Sequence, residues 1–404
     1  MTPWWRSRRG RDLVAGGLLL SFCVASILTL SRVLTAISAR PRPAPKPAVV
    51  GEVAKPPLYP PPRPLLDLSH FQYLTNADPC GGGDVTGVLV VTSHADHVEL
   101  RSAHRRAYPR SELLRLGLRR VFLLARAARR GGTEDDADAW ATRALRDEAR
   151  RFGDIVQGDF QEAYRNLTYK HTMGLQWAAS YCPQAQLVVK MDDDIVVDLY
   201  QLMDLMKQQT TAALASSMYG YVLHGLQPSR EPANKWFVTR AEYAADVYPD
   251  FLSGWVYVAT PGAARALAEG ASRWTSRHGY FWIDDLLLTG MVREALGRDS
   301  PRAQLALHDL RQVFTVNPEV IHCCLAEPDL RCDVLVGPNG GENDLIVKFQ
   351  AHAARCHYGT SCADRPPGRL VESTCVVRAA QADDRLPAEV ARDGRGQASQ
   401  VRMF

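Results

Sequence analysis

The sequence predicts an α/β protein on a mainly parallel sheet, preceded by an apolar N-terminal span and a proline-rich spacer. Three observations carry this. Short Val/Leu-rich runs alternate with helix-length segments from about Val85 to Asp198, the pattern of βαβ units. An uncharged stretch, LVAGGLLLSFCVASILTL at 13–30, follows Arg6, Arg8, Arg9 and Arg11. Proline dominates from Ala39 to about Leu65.

The apolar stretch approaches the length that crosses a bilayer, and basic residues before it predict a cytoplasmic N-terminus. A cleavable signal peptide, cut near Ala36 to Ser38, is the competing reading. The stretch is long for a signal peptide's apolar region, which favours a signal anchor. The expected organisation is a cytoplasmic tail at 1–12, a transmembrane anchor at 13–31, a Pro-rich stem at 32–79, a lumenal globular domain at 80–379 and a loose polar tail at 380–404. The proline run extends as polyproline II and holds the domain away from the membrane.

Cysteine usage agrees with a lumenal location. Setting aside Cys23 in the apolar span leaves an even set: Cys80, Cys182, Cys323, Cys324, Cys332, Cys356, Cys362 and Cys375. None forms a C-x-x-C pair, so disulfides of open connectivity are expected rather than a zinc ribbon. Asn166-Leu167-Thr168 is a glycosylation sequon. Over 404 residues, 46% hydrophobic and 23% charged content is that of an ordinary globular protein. A net charge of +4, thinly spread, gives no reason to expect nucleic acid.

Along the domain, VTGVLVVTS (85–93) reads as a buried strand, VELRSAHRRAY (98–108) as a basic helix and VFLLA (121–125) as a second strand. ADAWATRALRDEARRFG (137–153) reads as an amphipathic helix, Asp154-Ile155-Val156 as a short strand, and Leu167 to Ser180 as a helix. The next strand, Leu187-Val188-Val189, ends in Asp192, Asp193 and Asp194. Ligands gather at the carboxyl edge of such strands. Three adjacent acids there repel one another unless a cation or donors hold them. Mn²⁺ or Mg²⁺, taking oxygen ligands and leaving positions for phosphates, meets that need. A solvated acidic turn is the bland alternative.

The stretch EARRFGDIVQGDFQEAYRNLTYKHTMGLQWAASYCPQAQLVVKMDDDIVVD resembles the central block of the animal β-1,3-glycosyltransferase family, the β-1,3-galactosyl- and β-1,3-N-acetylglucosaminyltransferases of the Golgi. The similarity runs from about Val85 to Arg293 and includes ELRSAHRRAY, EPANKWFVTRAEY, YPDFLSGWVYVAT and FWIDDLLLTGM. The resemblance implies a GT-A-type fold, with a Rossmann-like nucleotide half and an acceptor half. It also implies inverting transfer of a sugar from a UDP-sugar to a sugar hydroxyl.

On that resemblance the D-x-D-type motif falls on Asp192, Asp193 and Asp194. Asp194 is assigned metal ligation, and Asp192 and Asp193 the donor's hydroxyls or water ligands, with Asp192 also a metal candidate. A bound metal acts as a Lewis acid on the leaving diphosphate. Lys190 is expected either to contact substrate or to pair with an acid. Asp284-Asp285 matches the acidic pair that supplies the general base: Asp285 is assigned the base and Asp284 its support, with the order left open. Tyr280, Phe281 and Trp282 would give an apolar pocket that raises the base's pKa. Asp284 is also placed to cap the helix that follows.

Ser253-Gly254 is expected as a turn between apolar runs, and the resemblance implies that it lies beside donor sugar or acceptor. Trp255 stands where relatives carry a small residue, and is either a stacking platform or core. Arg101 and Arg105, four apart on one helix face, match basic positions near the nucleotide; the alternative is a solvated basic face. Tyr108 replaces the family's tryptophan. Lys235-Trp236 matches the family, with Trp236 read as structural or acceptor-side. His94 and His97 have zinc-like spacing, but are read as loop residues lining the nucleotide site.

The expected activity is a type II Golgi membrane enzyme moving galactose or N-acetylglucosamine from UDP in β-1,3 linkage onto a glycoprotein or glycolipid glycan. A homodimer is compatible with it. Two other classes are weighed: an inactive lumenal glycan-binding or chaperone-like relative, against which the intact acids argue, and a hydrolase using the same acids with water as acceptor.

Overall fold

The computed structural model describes residues 71–126, 136–360, 362–366 and 368–375. The expected anchor, most of the stem and the C-terminal tail lie outside the described residues. Among these, no helix is long and apolar enough to cross a membrane.

Among the described residues there are ten strands: β1 (Tyr73–Asn76), β2 (Gly87–Thr92), β3 (Leu118–Arg126), β4 (Ile155–Gln161), β5 (Leu187–Asp192), β6 (Ile195–Val197), β7 (Ser217–Leu223), β8 (Phe251–Ala259), β9 (Ala306–Asp309) and β10 (Val336–Pro338). Eight form one sheet in the order β1-β4-β3-β2-β5-β8-β7-β9, and β10 pairs with β6. β4, β3, β2 and β5 run parallel. β8 is antiparallel to both β5 and β7. β1 is antiparallel to β4, and β9 is parallel to β7. The sheet is therefore mixed, and the expected parallel pairing holds for β4-β3-β2-β5 and for β7-β9. The alternation of strands and helices that supported it stops after β5.

The parallel strands are buried on both faces, which explains their continuous apolar runs. Val88 and Val90 enter one core layer with helices α3 (Leu167–Tyr181) and α5 (Pro261–His278). Leu89 and Val91 enter the other with α1 (Val98–Ala107), α4 (Leu199–Lys207) and α6 (Asn343–Tyr358). Helix α2 (Asp136–Phe152) lies between β3 and β4 in the chain. From β2 the chain adds β3 and β4 on one side, then returns to place β5 on the other. The reversal between β2 and β5 makes a crevice at their carboxyl ends, where open α/β sheets bind ligands. Thr92 pairs with Asp192, so the acids stand at that crevice.

The domain starts before the expected boundary at Cys80, because β1 pairs antiparallel with β4 from Tyr73. This edge strand is short and alternates half-buried with exposed residues, so it gave no apolar signal against the proline-rich background. Four disulfides join Cys80–Cys182, Cys323–Cys375, Cys324–Cys332 and Cys356–Cys362. The first closes the longest loop, with a sequence separation of 102. Replacing both Cys80 and Cys182 with serine is expected to lower stability by about 2–5 kcal/mol, read as a lower denaturant midpoint with a higher m-value, because the unfolded chain expands.

Candidate active site

The three acids do not share one environment. Asp193 turns inward: its Oδ2 lies 2.9 Å from His97 Nδ1, and its carbonyl oxygen is 2.8 Å from His104 Nε2. Burial pushes the Asp193 carboxyl up, but the His97 hydrogen bond and charge more than reverse this and hold it low. His97 thus has the acid partner that sequence spacing did not offer, because that acid arrives from another strand. The donor-contact assignment of Asp193 is corrected accordingly: the residue is buried and anchors the turn instead.

Asp192 and Asp194 remain half-buried and outward. Burial raises Asp192 to about 6 despite Lys190. Burial, then the charges of Asp192 and Asp193, raises Asp194 to about 7. The Asp194 carbonyl accepts the Asn339 amide at 2.8 Å, which ties the acidic turn to the loop after β10.

Lys190 pairs with an acid. It is 2% exposed, and its ammonium donates to Asp192 Oδ1 at 2.7 Å and to the Gly254 carbonyl. Burial would lower its pKa; Asp192 and then Asp284 outweigh that and raise it. From the same residue, Gly254 N–H donates to Asp285 Oδ2 at 3.0 Å. A Cβ at position 254 would sit 3.4 Å from both Lys190 Nζ and Asp285 Oδ2. The two acidic clusters are therefore brought together, joined by Lys190 and Gly254 on the adjacent strands β5 and β8.

Asp285 also accepts the Leu286 amide at 2.8 Å, so the helix cap expected of Asp284 falls to Asp285. That helix opens as a π-helical turn, Leu286–Val292, before the α-helix Arg293–Asp299. Burial, and then the neighbouring Asp284 charge, raises Asp285 to about 7. Asp284 Oδ2 instead lies 2.8 Å from His171 Nδ1. Burial would raise Asp284, yet the His171 hydrogen bond and Lys190 hold it low. Two adjacent carboxyls with opposite shifts suit different roles.

On the rim, Tyr164 is raised by burial and then by the charges of Asp284, Asp285 and Asp192. Lys235 Nζ stands 4.9 Å over the Tyr164 ring. Burial lowers Lys235, while Asp194 and Asp192 raise it. Trp282 is buried with its ring centroid 5.8 Å from Tyr164. Phe281 is core, and Tyr280 stacks on Tyr169 away from this contact. Trp236 is half-buried against the first core layer. Ser253 is buried, its Oγ accepting from Trp255 N–H at 3.4 Å. Trp255 is half-buried and packs on the second core layer.

The basic helix is not a solvated face. Arg101 is fully buried; it chelates Glu148 at 2.8 Å from both Nε and an NH2 group and donates to the His94 and Ala95 carbonyls. Arg105 bridges Glu148 and Asp154. Neither guanidinium is free to hold a nucleotide. Both are corrected to supports, with Arg101 shaping the loop after β2. Helix α2, carrying Glu148, covers the side that sequence leaves open to solvent. Asn166 donates its side-chain amide to Gln161 O at 2.8 Å. The sequon's Thr168 is buried and donates to Phe281 O.

Sequence reasoning missed Lys170 and His171, neighbours in the mostly buried α3. A Lys-His pair in an otherwise apolar helix was the available signal. Lys170 donates to Ser93 O at 2.6 Å and to Glu162 Oε1 at 2.5 Å, both partners of the pair being nearly sealed from solvent. Lys170→Met leaves Glu162 buried and unpaired, and is expected to cost about 3–5 kcal/mol. Adding Glu162→Leu should recover part of that loss in thermal unfolding.

Asp192 and Asp194 suit a hard divalent cation: both are half-buried, outward-facing oxygen donors whose charged forms lack protein cations enough to offset burial. Among the described residues, no group of three or more His, Cys, Asp or Glu side chains forms a closed metal cage. Water and phosphate oxygens would have to complete the shell, as magnesium-type sites commonly require.

A family model described as Galactosyltransferase matches residues 101–300, a span that holds both acidic clusters and the strands joining them. The chain is 36% identical over 173 residues to beta-1,3-galactosyltransferase 5 of Gorilla gorilla gorilla, covering 42% of this chain and 54% of that protein. It is 29% identical over 191 residues to human beta-1,3-galactosyltransferase 2, covering 47% and 44%. The chain belongs to the animal β-1,3-glycosyltransferase family. This family member spans about half the length of the curated relatives it matches. A solved glycosyltransferase involved in glycosylation of the major capsid of PBCV-1 aligns at TM-score 0.31 and 9% identity, covering 66% of this chain and 98% of that one. That likeness carries no argument.

Proposed function

We propose that the protein is an inverting glycosyltransferase of GT-A type, moving galactose or N-acetylglucosamine from a UDP-sugar onto a glycan hydroxyl in β-1,3 linkage. The observation that carries the reading is the bridge Asp192–Lys190–Gly254–Asp285, which brings the acids after β5 and a raised-pKa carboxylate together. A cation held by Asp194 and Asp192 would supply charge compensation for the departing diphosphate. Asp285 accepts the proton of the acceptor hydroxyl as that oxygen attacks the anomeric carbon. Asp284 stays ionised beside it, and its charge helps keep Asp285 basic. Tyr164 and Lys235, backed by the buried Trp282, form the rim on which an acceptor sugar rests. The family resemblance and the apolar span at 13–30 support a single-pass type II Golgi membrane protein with this domain lumenal.

The test is the full chain in detergent with Mn²⁺ and a panel of UDP-sugars, followed by sugar acceptors with the preferred donor. Acceptor-dependent β-1,3 product supports the proposal. Donor turnover that acceptors leave unchanged points to the hydrolase; binding without turnover points to an inactive relative.

A further inference from the structure

The proposed chemistry uses Asp285 and its neighbour Asp284, but not the groups behind them. His171 is fully buried within α3 and has both ring nitrogens engaged. Its Nδ1 lies 2.8 Å from Asp284 Oδ2, and its Nε2 lies 2.6 Å from the Tyr257 hydroxyl. Tyr257 is fully buried on β8, three residues beyond Gly254 and paired across the sheet with Lys190. The line Tyr257–His171–Asp284 thus ties a strand, a helix and the start of the π-helical turn into one hydrogen-bonded chain.

The donor pattern of this chain is determined by chemistry. An ionised carboxylate only accepts, so the proton on Nδ1 must point at Asp284. With Nδ1 protonated on a neutral ring, Nε2 is bare and must accept from the Tyr257 hydroxyl. Burial favours the neutral imidazole and the un-ionised phenol. The Asp284 carboxylate therefore sets the tautomer, and the Tyr257 hydroxyl, able to donate or accept, answers it by donating to Nε2 and holding the ring in place.

We propose that His171, locked by Tyr257, is a positioning residue that commits Asp284 to an acceptor-only role and leaves Asp285 as the single proton acceptor of the site. The inference rests on the glycosyltransferase reading and deepens it. Without His171, Asp284 and Asp285 are two adjacent carboxyls under like-charge repulsion, free to share one proton. Sharing would cost turnover, because the group facing the acceptor hydroxyl would be protonated part of the time. It would not change donor binding, since His171 touches neither Asp192 nor Asp194 in the hydrogen bonds described.

Three full-chain variants test this: His171→Leu, which removes both hydrogen bonds; His171→Asn, whose amide N–H replaces Nδ1–H toward Asp284; and Tyr257→Phe, which removes only the hydroxyl. Each is assayed for transfer with the donor the wild type prefers, and each is melted. For His171→Leu the expected kcat loss is about tenfold or more, a part of the 10²–10⁴ that a general base contributes, with donor KM nearly unchanged. His171→Asn should recover most of that kcat although it lacks the Tyr257 bond. Tyr257→Phe should lose a few-fold in kcat with the donor KM again unmoved.

The proposal is overturned if folded His171→Leu keeps wild-type kcat, or if His171→Asn loses as much kcat as His171→Leu. If His171→Leu does not fold, Tyr257→Phe and His171→Asn decide: wild-type kcat in Tyr257→Phe together with no activity in His171→Asn overturns it. A wild type without acceptor-dependent transfer refutes the glycosyltransferase reading itself, which the variants would not.

Discussion

Asp285→Asn is expected to abolish sugar transfer, lowering kcat by about 10²–10⁴, the usual worth of a general base, while donor KM changes little. An interaction made only in the transition state gives that signature. The amide keeps one oxygen for the Leu286 or Gly254 N–H groups that now hold the carboxylate, so the variant should fold. The wild type's pH profile gives a second reading of the same residue. Asp285 is raised to about 7 by burial and by Asp284, and only its ionised form accepts a proton. Activity should therefore be absent well below pH 7 and climb as pH rises through it, with unit slope. Asp284→Asn removes the neighbouring charge that helps raise Asp285, so the acid limb of the profile should move to lower pH. The two carboxyls interact, so the limb is a property of the pair. Transfer by purified Asp285→Asn at the wild-type rate, with a flat profile between about pH 5 and 8, would remove the residue from the mechanism.

Asp194→Ala is expected to remove transfer and the response to Mn²⁺ together, while the melting temperature holds or rises. The rise follows from deleting a carboxyl that burial and two like charges drive up to about 7. Loss of a partner merely supporting a metal ligand costs about 10- to 100-fold in affinity or activity, so loss of a ligand should exceed that. Calorimetric titration of Mn²⁺ in the presence of UDP reads the effect without turnover. Asp193→Asn is the contrast: it breaks the His97 contact inside the turn and should lower stability more than it lowers Mn²⁺ affinity. Unchanged Mn²⁺ binding in Asp194→Ala would relocate the cation.

The strand bearing the acids was readable because a doubly buried parallel strand has to be apolar until it reaches the crevice, so LVVKMDDD marks both the strand and its end. The pairing of Asp284 and Asp285 with the site was readable only through resemblance, since they lie some ninety positions further on. Which acid turns inward was not readable. That depends on the register Thr92 to Asp192 and on His97 arriving from the loop after β2. Arg101 and Arg105 misled for a similar reason: one helix shows an outer basic face, and only the packing of α2 with Glu148 shows that face to be covered. Propensity also sees no difference between Asp284 and Asp285 as a helix cap. The choice was made by His171, which takes Asp284 for itself.

The two acidic clusters are separated by one residue of main chain, Gly254, whose carbonyl faces Lys190 and whose amide faces Asp285. Main-chain spacing does not change when a side chain is replaced. On the proposed reading, the gap between the donor-side acids and the base is therefore an architectural constant, insulated from drift, and divergence in sugar choice falls to the outlying Tyr164 and Lys235.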